Sequence, residues 1–213
     1  MKKLFVTRPN NDDGTAYLSV WSNEIIQQAK DKGWTVLQSD GAKATRLEVQ
    51  SKLEKTPPDL VCFNGHGNER EIYGQGAEVL MDSSSAGLLD HTVTFARSCE
   101  SLVVLGKKAV EKGCRAFVGY SHQFWFPKVK QYELTPLEDP AAKPVLEVSN
   151  TIPIKLIKNA TVSEAIEASK TLSRKYILKM IVSKEPYDRA ALRALVQNDS
   201  CVGFVGDPDA KIE

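Results

Sequence analysis

The residues best equipped for chemistry are a histidine held between glycines and a cysteine with small neighbours, each closing an apolar run. The first run is Phe63-Asn64-Gly65-His66-Gly67 and the second is Phe95-Ala96-Arg97-Ser98-Cys99. Imidazole exchanges protons near neutral pH, and a thiolate is a strong nucleophile toward a carbonyl carbon. Residues 59–63 and 92–96 have the length and the aromatic or β-branched content of buried strands. As parallel neighbours they would deliver His66 and Cys99 to one carboxyl edge of a sheet, where open α/β folds place their sites. His66 would then be the general base and Cys99 the nucleophile. The N–H groups of Gly67 and Cys99 would hold an oxyanion, the glycine permitting close backbone approach. A helix starting near Ser101 would aim its N-terminus at Cys99 and favour the thiolate. Taken singly, a turn histidine and a core-packed cysteine are equally good readings. Their placement at the ends of successive core strands is what favours a catalytic pair.

The rest of the chain supplies the sheet that such a pair requires. Residues 4–7, 35–38, 59–64, 92–97 and 115–120 read as strands, and 15–32, 45–55 and 102–112 as the helices between them. Gly33 and Gly113 fit helix stops, and Pro57-Pro58 closes the second helix. Residues 71–81 read as a hairpin turning through Tyr73-Gly74-Gln75-Gly76. This alternation predicts an α/β fold with a mostly parallel central sheet covered on both faces. Residues 122–160 contain five prolines and read as a long irregular connection near the site. Helices over 162–184 and 186–198 and a last strand over 201–205 complete the pattern, within one domain spanning 1–213.

Composition narrows the function classes. With 42% apolar and 26% charged residues, an ordinary globular core is expected. A formal charge of +1 gives no general electrostatic reason to expect nucleic acid or a membrane as partner. The start, Met1-Lys2-Lys3-Leu4-Phe5-Val6-Thr7, resembles a signal peptide until Arg8 and Pro9 cut the apolar stretch short, so it reads as a strand and the protein as cytoplasmic. The four cysteines, Cys62, Cys99, Cys114 and Cys201, form no C-x-x-C pair and suit a reducing compartment. His91 and His122 lack ligand-spaced partners, so no metal is expected. The first strand leads into Arg8-Pro9-Asn10 and not a glycine-rich phosphate loop, so no dinucleotide cofactor is expected either.

The chain resembles the caspase-like cysteine peptidases (clan CD), the group that includes gingipains, CHAT-domain proteases, caspases and separase. In that group a His-Gly ends the third core strand and a small residue followed by Cys ends the fourth, here His66-Gly67 and Ser98-Cys99. Three more segments carry the likeness: 103–113 followed by Arg115-Ala116-Phe117-Val118-Gly119, the helix start Asn159-Ala160-Thr161-Val162-Ser163-Glu164-Ala165, and the closing Val205-Gly206-Asp207-Pro208. The resemblance implies a three-layer α/β/α sandwich and cleavage of peptide bonds through a Cys-His dyad and a thioester, with no cofactor. It also implies a protein or peptide substrate and room for an activating protein partner. Arg97 departs from the family, where apolar and small residues precede the cysteine; it would favour the thiolate or touch substrate, or else mark a lapsed enzyme.

In these peptidases the specificity pocket draws on the loop after the first strand and the segment after the fifth. The matching residues are Asp12 and Asp13 in the first and Ser121, Phe124 and Trp125 in the second. Carboxylates there would select Lys or Arg, whereas aromatics would select an apolar side chain or simply pack beneath the connection. Glu69 and Glu71 are near enough in sequence to orient His66, although a surface role is the simpler reading. Two other classes remain: a caspase-like binding or regulatory module with little turnover, and a flavodoxin-like ligand binder using 65–68 and 206–209 as phosphate loops.

Overall fold

The computed structural model describes residues 1–212. Strands β1 (Lys3–Arg8), β2 (Thr35–Asp40), β3 (Leu60–Asn64), β6 (Val93–Arg97), β7 (Ala116–Tyr120) and β8 (Val202–Gly206) form one sheet in the order β2-β1-β3-β6-β7-β8. All neighbours pair in parallel except β7 and β8. β3, β6 and β7 are buried at every residue, which is why they read as unbroken apolar runs. β4 (Glu71–Tyr73) and β5 (Val79–Asp82) form a separate two-stranded hairpin.

Helices cover both faces and bury two cores. One core joins Leu4, Cys62, Phe95 and Val118 of the sheet to Tyr17, Trp21 and Ile25 of α1 (Asp13–Asp31), Leu146 and Ile152 of α4 (Lys143–Ile157), and Val162 and Ala165 of α5 (Val162–Ile181). The other joins Phe5, Phe63 and Phe117 to Val49 and Leu53 of α2 (Arg46–Lys55), the hairpin, and Leu105 and Ala109 of α3 (Leu105–Glu111). A satellite cluster holds Val145 and Met180 against Ala191, Ala194 and Leu195 of α6 (Asp188–Cys201). The fold is thus the expected α/β/α sandwich. No helix among the described residues is long and apolar enough to cross a membrane.

Two expectations fail. The stretch read as irregular, 122–160, contains a fifteen-residue helix, α4. Pro144 sits in its first turn, where the missing N–H costs nothing. Pro153 is interior, and burial of Leu146, Ile152 and Leu156 between α1 and α5 outweighs its local cost. The helix expected from residue 102 starts at Leu105; before it, Leu102 N–H donates to Tyr120 C=O and Glu100 N–H to His122 C=O, so residues 99–104 are held as turns.

Chain direction reverses between β1 and β3: from β1 the chain steps outward to β2, then returns past β1 to β3, β6 and β7. Such a switch opens a crevice at the carboxyl edge of the sheet. The loops leaving β1, β3 and β6 flank that crevice.

Candidate active site

β3 and β6 pair residue for residue from Leu60 opposite Val93 to Asn64 opposite Arg97. His66 and Cys99 therefore leave adjacent strands at equivalent positions, two residues past the last pair. Gly65 makes the turn with φ of +148°, where a side chain would run into the Tyr73 carbonyl. His66 C=O accepts from Tyr73 N–H at 2.9 Å and from Ser98 Oγ at 3.0 Å. At Gly67 a Cβ would lie 2.0 Å from Ser98 Oγ, so the glycine is what lets the two strand ends touch. The Gly67 and Cys99 amides donate to no other group among the described residues.

The imidazole is oriented from the third strand of the crevice. Asp12 caps α1, its Oδ1 accepting from Thr15 N–H at 2.9 Å, and its Oδ2 lies 2.8 Å from His66 Nε2. A carboxylate only accepts, so Nε2 carries the proton and Nδ1 is the free basic nitrogen of the neutral ring. Burial works to raise the Asp12 pKa, but the Thr15 amide and the His66 bond and charge outweigh it and hold the carboxyl below its ordinary value. His66 itself is 62% exposed.

Cys99 is half-buried, and its Sγ donates to Phe124 C=O at 3.6 Å; no hydrogen bond joins it to His66. Burial pushes the thiol pKa up and Glu100 adds to this, against the backbone of Phe124 and of Cys99 itself, which favour the anion. The expected lowering of this pKa is thus reversed by burial, and the helix expected near Ser101 starts only at Leu105.

The other sequence candidates take distinct places. Asp13 is exposed and pairs loosely with Lys128 at 3.9 Å. Ser121 is tied through N–H and Oγ to Cys201 C=O. Phe124 is buried with its ring 4.7 Å from that of Tyr120, and Trp125 packs half-buried on the α4–α6 cluster while its backbone pairs with Asn198. Glu71 accepts from Tyr73 Oη, and neither Glu69 nor Glu71 hydrogen-bonds the His66 ring, whose side-chain partner is Asp12. Asp12 does so because β1 lies beside β3, a contact across 54 residues that sequence spacing did not reveal.

Arg97 does not face the crevice. The period-two alternation of β6 sends it, with Val93 and Phe95, into the α1–α4 side, where it is fully buried. Its Nη2 donates to Asn150 Oδ1, and Asn150 Nδ2 donates to Trp21 C=O and to Glu24 Oε2. Among the described residues Nε and Nη1 have no partner, and burial lowers its pKa to about 10.

No protein-family model and no curated protein matches this chain. Solved structures do. The chain is similar to the crystal structure of the Arg-specific cysteine proteinase gingipain R, with 13% identity and a TM-score of 0.64, over 100% of this chain and 47% of that one. The complex of the Porphyromonas gingivalis gingipain pro- and mature domains gives 11% and 0.58, over 100% and 48%. A third structure, described as a protease, gives 14% and 0.59, over 99% and 48%. The chain spans about half the length of these neighbours, and at such identities the likeness establishes the caspase-like fold.

Proposed function

We propose that this chain is a cysteine endopeptidase that cleaves peptide bonds with Cys99 as nucleophile, His66 as general base and Asp12 as the group that orients His66. The observation that carries this reading is the Asp12–His66 hydrogen bond at the sheet's switch point, with Cys99 leaving the adjacent strand end. With Nε2 committed to Asp12, His66 Nδ1 takes the thiol proton as Sγ attacks the substrate carbonyl carbon. The carbonyl π electrons move onto oxygen, and the free Gly67 and Cys99 amides accept that charge. Collapse breaks the C–N bond, His66 returns the proton to the leaving amine, and a thioester remains. Water, deprotonated by the same nitrogen, then attacks the thioester and releases the acid and the thiol.

A raised thiol pKa fits a resting state in which Cys99 is neutral and turns to His66 only when a polypeptide displaces its bond to Phe124 C=O. An activating protein partner fits the same picture, and one gingipain neighbour is itself bound to its pro-domain. The exposed His66, together with the missing His66–Cys99 hydrogen bond, also favours a second reading, a binding module with little turnover. A peptidyl acyloxymethyl ketone separates the two. The peptidase becomes covalently labelled on Cys99, mapped by mass spectrometry, and loses labelling in His66→Ala; absence of labelling across a peptide panel, or labelling spread over other cysteines, supports the module.

A further inference from the structure

The α5–α6 hairpin rises beside the candidate site and is charged unlike the rest of the chain. Ser169 of α5 donates to Val148 C=O of α4, close to the level of Asn150 and the end of β6. The twelve residues of α5 beyond it extend about 18 Å past that edge. α6 returns to the edge at Cys201, whose carbonyl holds Ser121. Residues 170–193 hold seven of the 28 Lys and Arg but two of the 27 Asp and Glu, so this segment carries +5 and the remaining residues −4.

Folding does not account for this charge. Lys175, Lys179, Lys184, Arg189 and Arg193 take part in no ion pair among the described residues, and only Arg174 is paired, with Glu167. Arg189 occupies the first turn of α6, where the helix dipole disfavours a cation. The same surface is apolar. Leu178 and Ile181 of α5 and Val182, which caps its C-terminal end, stand 69%, 61% and 81% exposed at i, i+3 and i+4. A cleft of about 420 Å³ at the tip is lined by Met180, Ile181 and Leu192 together with Lys184 and Arg189.

We infer that this hairpin is a docking site for an acidic polypeptide segment of a partner protein, one whose apolar side chains enter the cleft while its carboxylates meet Lys179, Lys184 and Arg189. Charge complementarity selects the acidic segment and its apolar side chains cover the exposed stripe; long-range attraction of this kind speeds encounter and weakens with salt. The site lies outside the catalytic groups, so its occupancy does not depend on turnover.

The test is fluorescence anisotropy with a labelled synthetic peptide of Glu, Asp and Leu, using Cys99→Ala protein so that cleavage of the probe plays no part. The expected result is saturable binding that weakens with added salt. It should fall at least about tenfold in Lys184→Glu/Arg189→Glu, equivalent to about 1.4 kcal/mol. A comparable loss is expected in Ile181→Ser/Val182→Ser, or with Ser replacing Leu in the peptide. Circular dichroism of each variant establishes that the fold is intact. No binding, or binding indifferent to both double variants, overturns the proposal. So does capture by phosphatidylserine vesicles or single-stranded DNA in preference to the peptide, or a wild-type dimer that the same variants dissociate.

Discussion

Arg97 and Cys99 stand two residues apart at the end of one strand and meet opposite surroundings. Arg97 is fully enclosed and held by α4 through Asn150, yet two of its nitrogens find no partner among the described residues. Cys99 is half-buried, with one weak hydrogen bond to a carbonyl. The cation is built into the core at a cost in desolvation of several kcal/mol, while the thiol is held loosely at the rim. The arginine belongs to the frame that joins α1, α4 and β6, and the cysteine is left free for chemistry. Stability and activity should therefore separate along these two residues.

The largest expected effect is on Cys99. Replacing it with Ala should lower peptide cleavage by at least about a thousand-fold, as for other lost nucleophiles, with stability changed by less than about 1 kcal/mol. Cleavage kinetics and a urea melt measure both, and a large stability loss would break the contrast. Asp12→Asn comes next. Asn still caps α1 through its side-chain oxygen, but its amide can leave His66 in the wrong tautomer, and activity should fall about 10²–10⁴-fold. The Asp12 carboxyl has a depressed folded pKa, so its stabilisation is complete above the ordinary carboxylate range and is lost as pH falls through the folded value. The stability difference between wild type and Asp12→Asn should shrink accordingly in acid, as melts at successive pH values would record.

Arg97 should answer on the other axis. Arg97→Ala opens a cavity and strips Asn150 of its donor, costing about 2–4 kcal/mol in denaturant unfolding. Arg97→Met keeps much of the volume and removes the two unpartnered nitrogens, so it should cost clearly less than Ala. Equal losses for the two would show that the charge itself is needed. The smallest effect is kinetic. With its thiol pKa raised, Cys99 should react slowly with iodoacetamide near neutral pH and about tenfold faster per pH unit toward its pKa. It should still lead the other three cysteines, all buried, with Cys62 pushed up to about 12. Rapid alkylation at neutral pH would place Cys99 in the thiolate form and remove the resting state described above.

The strands, the hairpin and the positions of His66 and Cys99 were legible because β3 and β6 are apolar runs closed by residues of a different type. α4 was not, because counting prolines hid the spacing of Val145, Leu146, Ile152 and Leu156. That stripe was present in the sequence and could have been found. For Asp12 the sequence points to the loop beside the site but not to His66, since that contact depends on β1 lying next to β3. For Arg97 the sequence leaves open support of the thiolate, contact with substrate or a lapsed enzyme, whereas alternation with Val93 and Phe95 puts it on the core side. Local pattern thus revealed elements, while strand order and side-chain parity decided what met what.

The contact between Gly67 and Ser98 has a consequence for anyone moving this constellation to another scaffold. With no room for a methyl group at 67 while Ser98 binds the His66 carbonyl, the two loops interlock. Grafting the histidine loop alone, or the cysteine loop alone, would set a foreign side chain against its mate. They form a single transplantable cassette, and a host sheet must offer two neighbouring parallel strands of matched length to receive it.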